Sequence, residues 1–218
     1  MKILIDSANL EKINHIVKYF PIDGITTNPS ILCKENTEPY ELLEKLKQIK
    51  DLLFVQAISK DFDGMVEEAK RITDKLGDVV IKIPVTDEGL RAIKHLSAQG
   101  YHTCGTAIYT EEQAFMAALA GAEYVAPYVN RIEKFYGDGI GTVKNIQEIY
   151  KNNNLKTKIL AASFKRNDQV MALAKAGVDA ATIPADLLIN FIHNKDVDEA
   201  VDAFVNDFYK LVGPNSTM

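Results

Sequence analysis

A lysine in the middle of an apolar strand is uncommon, and the run Asp78-Val-Val-Ile-Lys-Ile-Pro-Val85 places Lys82 there. The other lysines fall mainly on helical stretches, in loops or at strand starts, as Lys2 and Lys158 do. Burial disfavours an ammonium ion, so a lysine in such a strand is expected to have a lowered pKa. A neutral amine can attack a ketone and form an iminium, an electron sink for breaking a neighbouring C–C bond. The competing expectation is a structural ion pair with a carboxylate.

Other polar residues recur at regular intervals around it. Asp6, Asn28, Gln56, Lys82, Thr106 and Tyr128 follow one another at steps of 22 to 28 residues, each at the end of a short apolar run. Asp6 suits a carboxylate that orients the lysine, accepts a substrate hydroxyl or moves protons; an N-cap for Ser7–Tyr19 is the alternative, and the two roles are compatible. Thr26 and Asn28 end the second run, where Asn28-Pro29 also has the form of a helix start. An amide at Gln56 must find hydrogen bonds if it faces a core. With the hydroxyls of Thr106 and Tyr128 it would hold one water, through which Tyr128 could pass a proton; a plain core tyrosine is the alternative. Arg131, Ser163 and Lys165, with Arg166 beside them, suggest an anion site, in which backbone N–H groups at a helix start join a hydroxyl and two or three cations. A solvated basic loop is the alternative.

Residues spaced this way need a scaffold that returns a strand end to one place every two dozen residues. Eight β-branched apolar runs do so: 3–5, 24–27, 52–57, 79–83, 103–107, 124–127, 158–162 and 180–183. Between them, helical periodicity marks 9–19, 39–49, 65–76, 88–99, 111–120, 141–150, 168–176 and 185–193. Thr86 and Thr110 stand at N-cap positions, Gln113 completes a capping box, and Gly77, Gly100, Gly121 and Gly177 follow helix ends. The expected fold is therefore α/β, a (β/α)8 TIM barrel in one domain over 1–218, with chemistry at the C-terminal ends of the strands. A doubly wound open sheet is the alternative. A further helix at about 198–211 carries Ala200, Val201, Phe204, Phe208 and Leu211 at helical spacing, to cover its own barrel or a neighbouring subunit.

Composition narrows the function classes. In 218 residues, 47% are hydrophobic and 25% charged, and the net charge of −5 comes with scattered rather than clustered basic residues, which argues against nucleic-acid binding. No stretch approaches a membrane span, and Asp6 interrupts the N-terminal apolar run too early for a signal peptide, so a soluble cytoplasmic protein is expected. Cys33 and Cys104 form no metal or CxxC pattern, and no HExxH or glycine-rich nucleotide loop occurs. No metal and no cofactor are expected. The histidines lie on helical stretches or, for His102, before a strand interior, so none is assigned a role.

The segments GITTNPS, VVIKIPVT, GTAIY, AGAEYVAPYVNRI and LAASFK resemble those of the short transaldolase group, which includes the fructose-6-phosphate aldolases, in order and spacing from Met1 to about Phe208. The resemblance implies a class I lyase that cleaves fructose 6-phosphate reversibly to dihydroxyacetone and glyceraldehyde 3-phosphate, or a transaldolase that transfers the dihydroxyacetone unit between sugar phosphates. It implies Lys82 as the imine-forming residue and Asp6 and Asn28 on the dihydroxyacetone hydroxyls. It gives Gln56, Thr106 and Tyr128 the water, with Tyr128 as acid/base, and Arg131, Ser163 and Lys165 the phosphate. Transaldolases resemble one another in a Glu at position 56 and a Phe at position 128, so Gln56 and Tyr128 favour the aldolase. Cys104 departs from the group, which more often has a larger aliphatic residue there. A homo-oligomer, a decamer of two pentameric rings, is also implied.

Overall fold

The computed structural model describes residues 1–218. Its strands are β1 (Lys2–Asp6), β2 (Gly24–Thr26), β3 (Leu52–Gln56), β4 (Val80–Pro84), β5 (Thr103–Ile108), β6 (Tyr124–Pro127), β7 (Lys158–Ala161) and β8 (Ala180–Pro184). Each pairs in parallel with the next and β8 pairs with β1, which closes the sheet into an eight-stranded barrel. This is the expected (β/α)8 fold. Its helices are α1 (Leu10–Tyr19), α2 (Pro29–Leu32), α3 (Pro39–Ile49), α4 (Phe62–Leu76), α5 (Asp87–Ala98), α6 (Glu111–Leu119), α7 (Val129–Tyr136), α8 (Gly139–Asn152), α9 (Asn167–Ala176), α10 (Ala185–Ile189) and α11 (Lys195–Val212). The chain divides into one compact unit over Met1–Leu188, which holds the barrel, and another over Ile189–Met218, which holds α11. No helix is long and apolar enough to cross a membrane.

Alternation along the strands sorts their residues. One buried cluster comprises Leu4, Phe54, Val80, Cys104, Tyr124, Ala126, Leu160, Ala162 and Ala180, all even-numbered. Parallel pairing keeps this parity around the barrel, matching Asp6 with Thr26, Gln56 with Lys82 and Lys82 with Cys104. The odd positions, such as Ile5, Leu53, Ile81, Val125 and Ile183, are buried on the other face, beneath the helices. A one-residue slip would exchange the two sets, so the apolar pattern holds the polar strand ends in place.

Local signals set the helix starts. Thr86 accepts a hydrogen bond from Gly89 N at 3.1 Å, and a Cβ at Gly89 would lie 1.9 Å from Pro84 O, so only glycine fits there. The Thr110–Gln113 capping box forms, and the four C-terminal glycines all take positive φ. Helix α4 begins at Phe62, ahead of the expected 65, because Asp61 accepts from Gly64 N; Asp138 starts α8 at Gly139 in the same way. The short helices α2 and α7 offer too few residues to show a period. The segment expected to be helical over 185–193 stops at Ile189, and Asn194 caps the next helix through Asp196 N.

A charged depression of about 350 Å3 lies at the N-terminal ends of the strands, lined by Lys2, Lys47, Asp78, His102, Glu123 and Lys158 among others. His102 Nδ1 lies 2.5 Å from Glu123 Oε2, and Lys158 Nζ donates to Glu123 Oε1 at 3.1 Å. Burial raises the Glu123 pKa, but the His102 and Lys158 hydrogen bonds outweigh it and hold the carboxyl below its usual range. A carboxylate with a depressed folded pKa stabilises the fold above its unfolded pKa, and loses that contribution as pH falls through the folded value. Glu123→Gln is expected to lower the melting temperature by about 2–4 °C at pH 7, with the gap closing below roughly pH 4. Thermal melts of both proteins across that range check it.

Candidate active site

Lys82 is 5% exposed, and its Nζ donates to Thr27 O at 2.8 Å. That carbonyl is available because β2 is short. Thr27 N bonds Phe54 O, Asn28 turns extended ahead of Pro29, and the strand becomes α2 at once. Asn28 is the cap of α2: its side-chain oxygen accepts from Ile31 N at 3.0 Å, which leaves its amide N–H groups for another partner.

Asp6 is not a helix cap. Asn9 accepts from Lys12 N at the start of α1, while Asp6 Oδ1 accepts from Thr26 Oγ1 at 2.8 Å. Thr26 also lies 2.6 Å from Thr182 Oγ1 on β8, so the eighth strand contributes a side chain that strand-end reading passed over. Burial pushes the Asp6 carboxyl above its usual range, opposed by the Lys82 charge, the Thr26 hydrogen bond and the more distant charges of Lys34 and Arg131.

Gln56 pairs in register with Lys82, and its Oε1 is buried without a protein hydrogen-bond partner. Thr106 Oγ1 lies 3.1 Å from Tyr128 OH. After Thr106, β5 carries a bulge, with Ala107 at φ 56°. Tyr128 follows β6 and caps α7, so Arg131 sits in the first turn of that helix. The Arg131 guanidinium lies 4.8 Å from the Tyr128 ring and donates to Tyr109 OH at 3.3 Å; the Tyr109 ring in turn meets that of Tyr128 edge-on at 5.7 Å.

The expected anion site is modified. Helix α9 starts at Asn167, so Ser163 is not at a helix start; it occupies the preceding loop at φ 63°, with its carbonyl accepting from Asn130 N. Arg166 is not a free cation, because it pairs with Asp168 and Glu133. Arg131 and the exposed Lys165 remain, with the Ser163 hydroxyl.

This barrel therefore gathers a buried amine, a carboxylate, an amide and the hydroxyls of Thr26, Thr106 and Tyr128 at the C-terminal strand ends, with Arg131 in the first turn of α7 and Lys165 on a loop beyond. The family whose sequence pattern matches residues 3–213 is described as transaldolase/fructose-6-phosphate aldolase. The chain belongs to that family. It carries transaldolase-like aldol chemistry.

In this family member the interior beside the lysine is inert. Burial pushes the Cys104 thiol up to about 12, so it stays protonated and is a poor nucleophile. No group of three or more His, Cys, Asp or Glu is arranged to hold a metal ion. Sequence reasoning missed the Thr27 carbonyl, Tyr109 and Thr182. A carbonyl leaves no trace in residue type, whereas Tyr109 at the end of GTAIY and Thr182 within an apolar strand were available signals.

A buried amine is costly to hold, and it adds nothing to packing that a long apolar side chain would not. Lys82→Met is expected to stay folded and melt within about 4 °C of the parent, the lost bond to Thr27 O being offset by relief of desolvation. Circular dichroism melts check it; a collapse of the fold would make Lys82 a structural residue.

Proposed function

We propose that the chain is a class I aldolase that works through a Schiff base on Lys82. It cleaves fructose 6-phosphate reversibly to dihydroxyacetone and glyceraldehyde 3-phosphate. The observation that carries this reading is the burial of the Lys82 amine at the strand ends, with Gln56 paired to it in register, its charge acting on Asp6, and Thr106 bonded to Tyr128 nearby, on and just beyond the following strands. The amine attacks the ketone carbon of the open-chain sugar, water leaves, and the iminium draws the electrons of the C3–C4 bond as the C4 hydroxyl loses its proton. Asp6 and Asn28 engage the hydroxyls of the three-carbon unit. Arg131, Ser163 and Lys165 hold the phosphate, which leaves with the aldehyde. The residual enamine takes a proton at carbon, and water then releases dihydroxyacetone from the lysine.

Tyr128 and Gln56 favour the lyase over the transferase. A phenol bonded to Thr106 can relay a proton to the enamine through a water that Gln56 and Thr106 hold, which frees the three-carbon product. Without that proton the enamine waits for an acceptor aldehyde, and the outcome is transfer. The reaction as written requires neither metal nor cofactor, and a cytoplasmic location suits its phosphorylated substrate.

We also propose that the protein is a homo-oligomer. Helix α11 has no buried residue, and Phe204 and Leu211 are 72% and 81% exposed, an apolar face that another copy would cover. By resemblance the assembly is a decamer of two pentameric rings. Light scattering should give the mass of ten chains, and Phe204→Asp should lower it; a monomer in both cases would end this part of the reading.

The chemistry is tested by supplying fructose 6-phosphate alone and assaying free dihydroxyacetone, and by treating the protein with dihydroxyacetone and borohydride. Release of the ketone and a reduced three-carbon adduct on Lys82 are expected. An active protein with no adduct would overturn the Schiff base. Transfer to erythrose 4-phosphate with no free ketone would make the chain a transaldolase instead. Tyr128→Phe is expected to cut free ketone release by about 100-fold or more while sparing adduct formation.

A further inference from the structure

We propose that Thr182 is a positioning residue for Asp6, acting through Thr26 in a two-hydroxyl relay that spans β8, β2 and β1. The role in catalysis rests on the function proposed above; the relay itself does not. Thr26 is 0% and Thr182 is 2% exposed, so neither hydroxyl exchanges freely with solvent. Thr26 Oγ1 is 2.8 Å from Asp6 Oδ1 and 2.6 Å from Thr182 Oγ1.

The direction of the relay follows from proton counting. An ionised carboxylate only accepts, so the single hydroxyl hydrogen of Thr26 goes to Asp6. Across the second contact Thr26 must then accept, and Thr182 is the donor. A donor that itself accepts a hydrogen bond is polarised and donates more strongly. Thr182 therefore stabilises the charged form of Asp6 without touching it. A protonated Asp6 no longer requires Thr26 to donate to it, so the relay loses its fixed direction.

Asp6 has few other means of staying ionised. Burial pushes its pKa up, and the groups that oppose this are Lys82, Thr26, Lys34 and Arg131. Lys82 gives up its charge when it becomes the neutral nucleophile, and the cations of Lys34 and Arg131 make the smallest contributions. The hydroxyl relay remains in place at that moment. Register fits the assignment: Asp6 pairs with Thr26, and Thr182 pairs with Leu4, the preceding inward residue of β1. Threonine also suits the position as a β-branched strand residue of nearly valine shape, so its hydroxyl is the part that packing leaves unexplained.

The test replaces that hydroxyl and reads the carboxyl directly. In full-length protein with 13C-labelled aspartate side chains, the Asp6 carboxyl signal is assigned by its loss in Asp6→Asn and titrated with pH. Thr182→Val is expected to raise the Asp6 midpoint by about half a pH unit. Thr182→Ser is expected to restore it. Thr182→Ala serves as the second hydroxyl-free variant if valine lowers the yield of folded protein. The acid limb of the kcat/KM profile for fructose 6-phosphate cleavage should move by the same amount and in the same direction. An unmoved midpoint in a folded hydroxyl-free variant overturns the relay, as does a serine variant that behaves like valine. A moved midpoint in a protein that forms no adduct at Lys82 upholds the relay and refutes the proposed function instead.

Discussion

The desolvation of one amine constrains the rest of the barrel. An ammonium group inside an apolar sheet is unfavourable unless its hydrogen-bonding capacity is met, and Lys82 meets part of it with the carbonyl of Thr27. A strand carbonyl is normally committed to its neighbour, so β2 has to stop early for this one to be available. That explains a three-residue strand followed, after Thr27 and Asn28, by a proline-started helix. The contact joins strands two and four across the intervening β3, which pairs with both. The sequence Thr-Thr-Asn-Pro serves the lysine by ending a strand and freeing a carbonyl, apart from any side chain it offers in the proposed reaction.

A second consequence is the segregation of charge along the barrel axis. The amine, carboxylate and uncharged polar groups sit at the C-terminal ends, and His102, Glu123 and Lys158 sit at the N-terminal ends. Between them lies the apolar cluster that includes Phe54, Cys104, Tyr124 and Leu160. This layer separates the lower charges from Lys82 and Asp6, whose charges act on one another in a medium of low polarity. The Tyr124 ring packs edge-on against Phe54 within the layer, with Lys158 near its outer face. The ion pairs at the lower end stand apart from the upper site, a separation of stability from chemistry that suits barrels generally.

How far the sequence revealed this depends on what each feature is made of. The barrel was legible because its strands are buried on both faces and stay apolar except where they end, so Asp6, Gln56, Lys82, Thr106 and Tyr128 stood out against their runs. Thr182 did not, because it lies inside Ala-Ala-Thr-Ile rather than after it, and only the shared parity of the strands ties it to Asp6. The alternative of Asp6 as a cap for α1 stayed open for a related reason: Asp6, Ser7 and Asn9 are all good caps, and in the structure Asn9 takes that position while Thr26 engages Asp6. Arg166 read as a free cation although Asp168, one of its two partners, stands only two residues on; the other, Glu133, is 33 residues away in sequence. Long-range pairing of that kind leaves no local mark.

The hardest features to read were those set by backbone strain, and they act on the same strand. Ala107 and Ser163 both take positive φ without being glycine, a conformation that costs about 1–3 kcal/mol at each position. They flank β6 from β5 and β7. The turn at Ala107 brings Ile108 O to accept from Tyr128 N, and the turn at Ser163 presents its carbonyl to Asn130 N. Tyr128, Val129 and Asn130 are therefore gripped from both sides just where β6 becomes α7. The phenol next to Thr106 belongs to that held segment, and the guanidinium over its ring is carried by Arg131, the residue that follows the segment. Neither alanine nor serine announces such geometry. Backbone strain of this kind is consistent with a site whose precision matters more than its stability, and it concentrates on the tyrosine that the proposed reaction requires to choose between release and transfer.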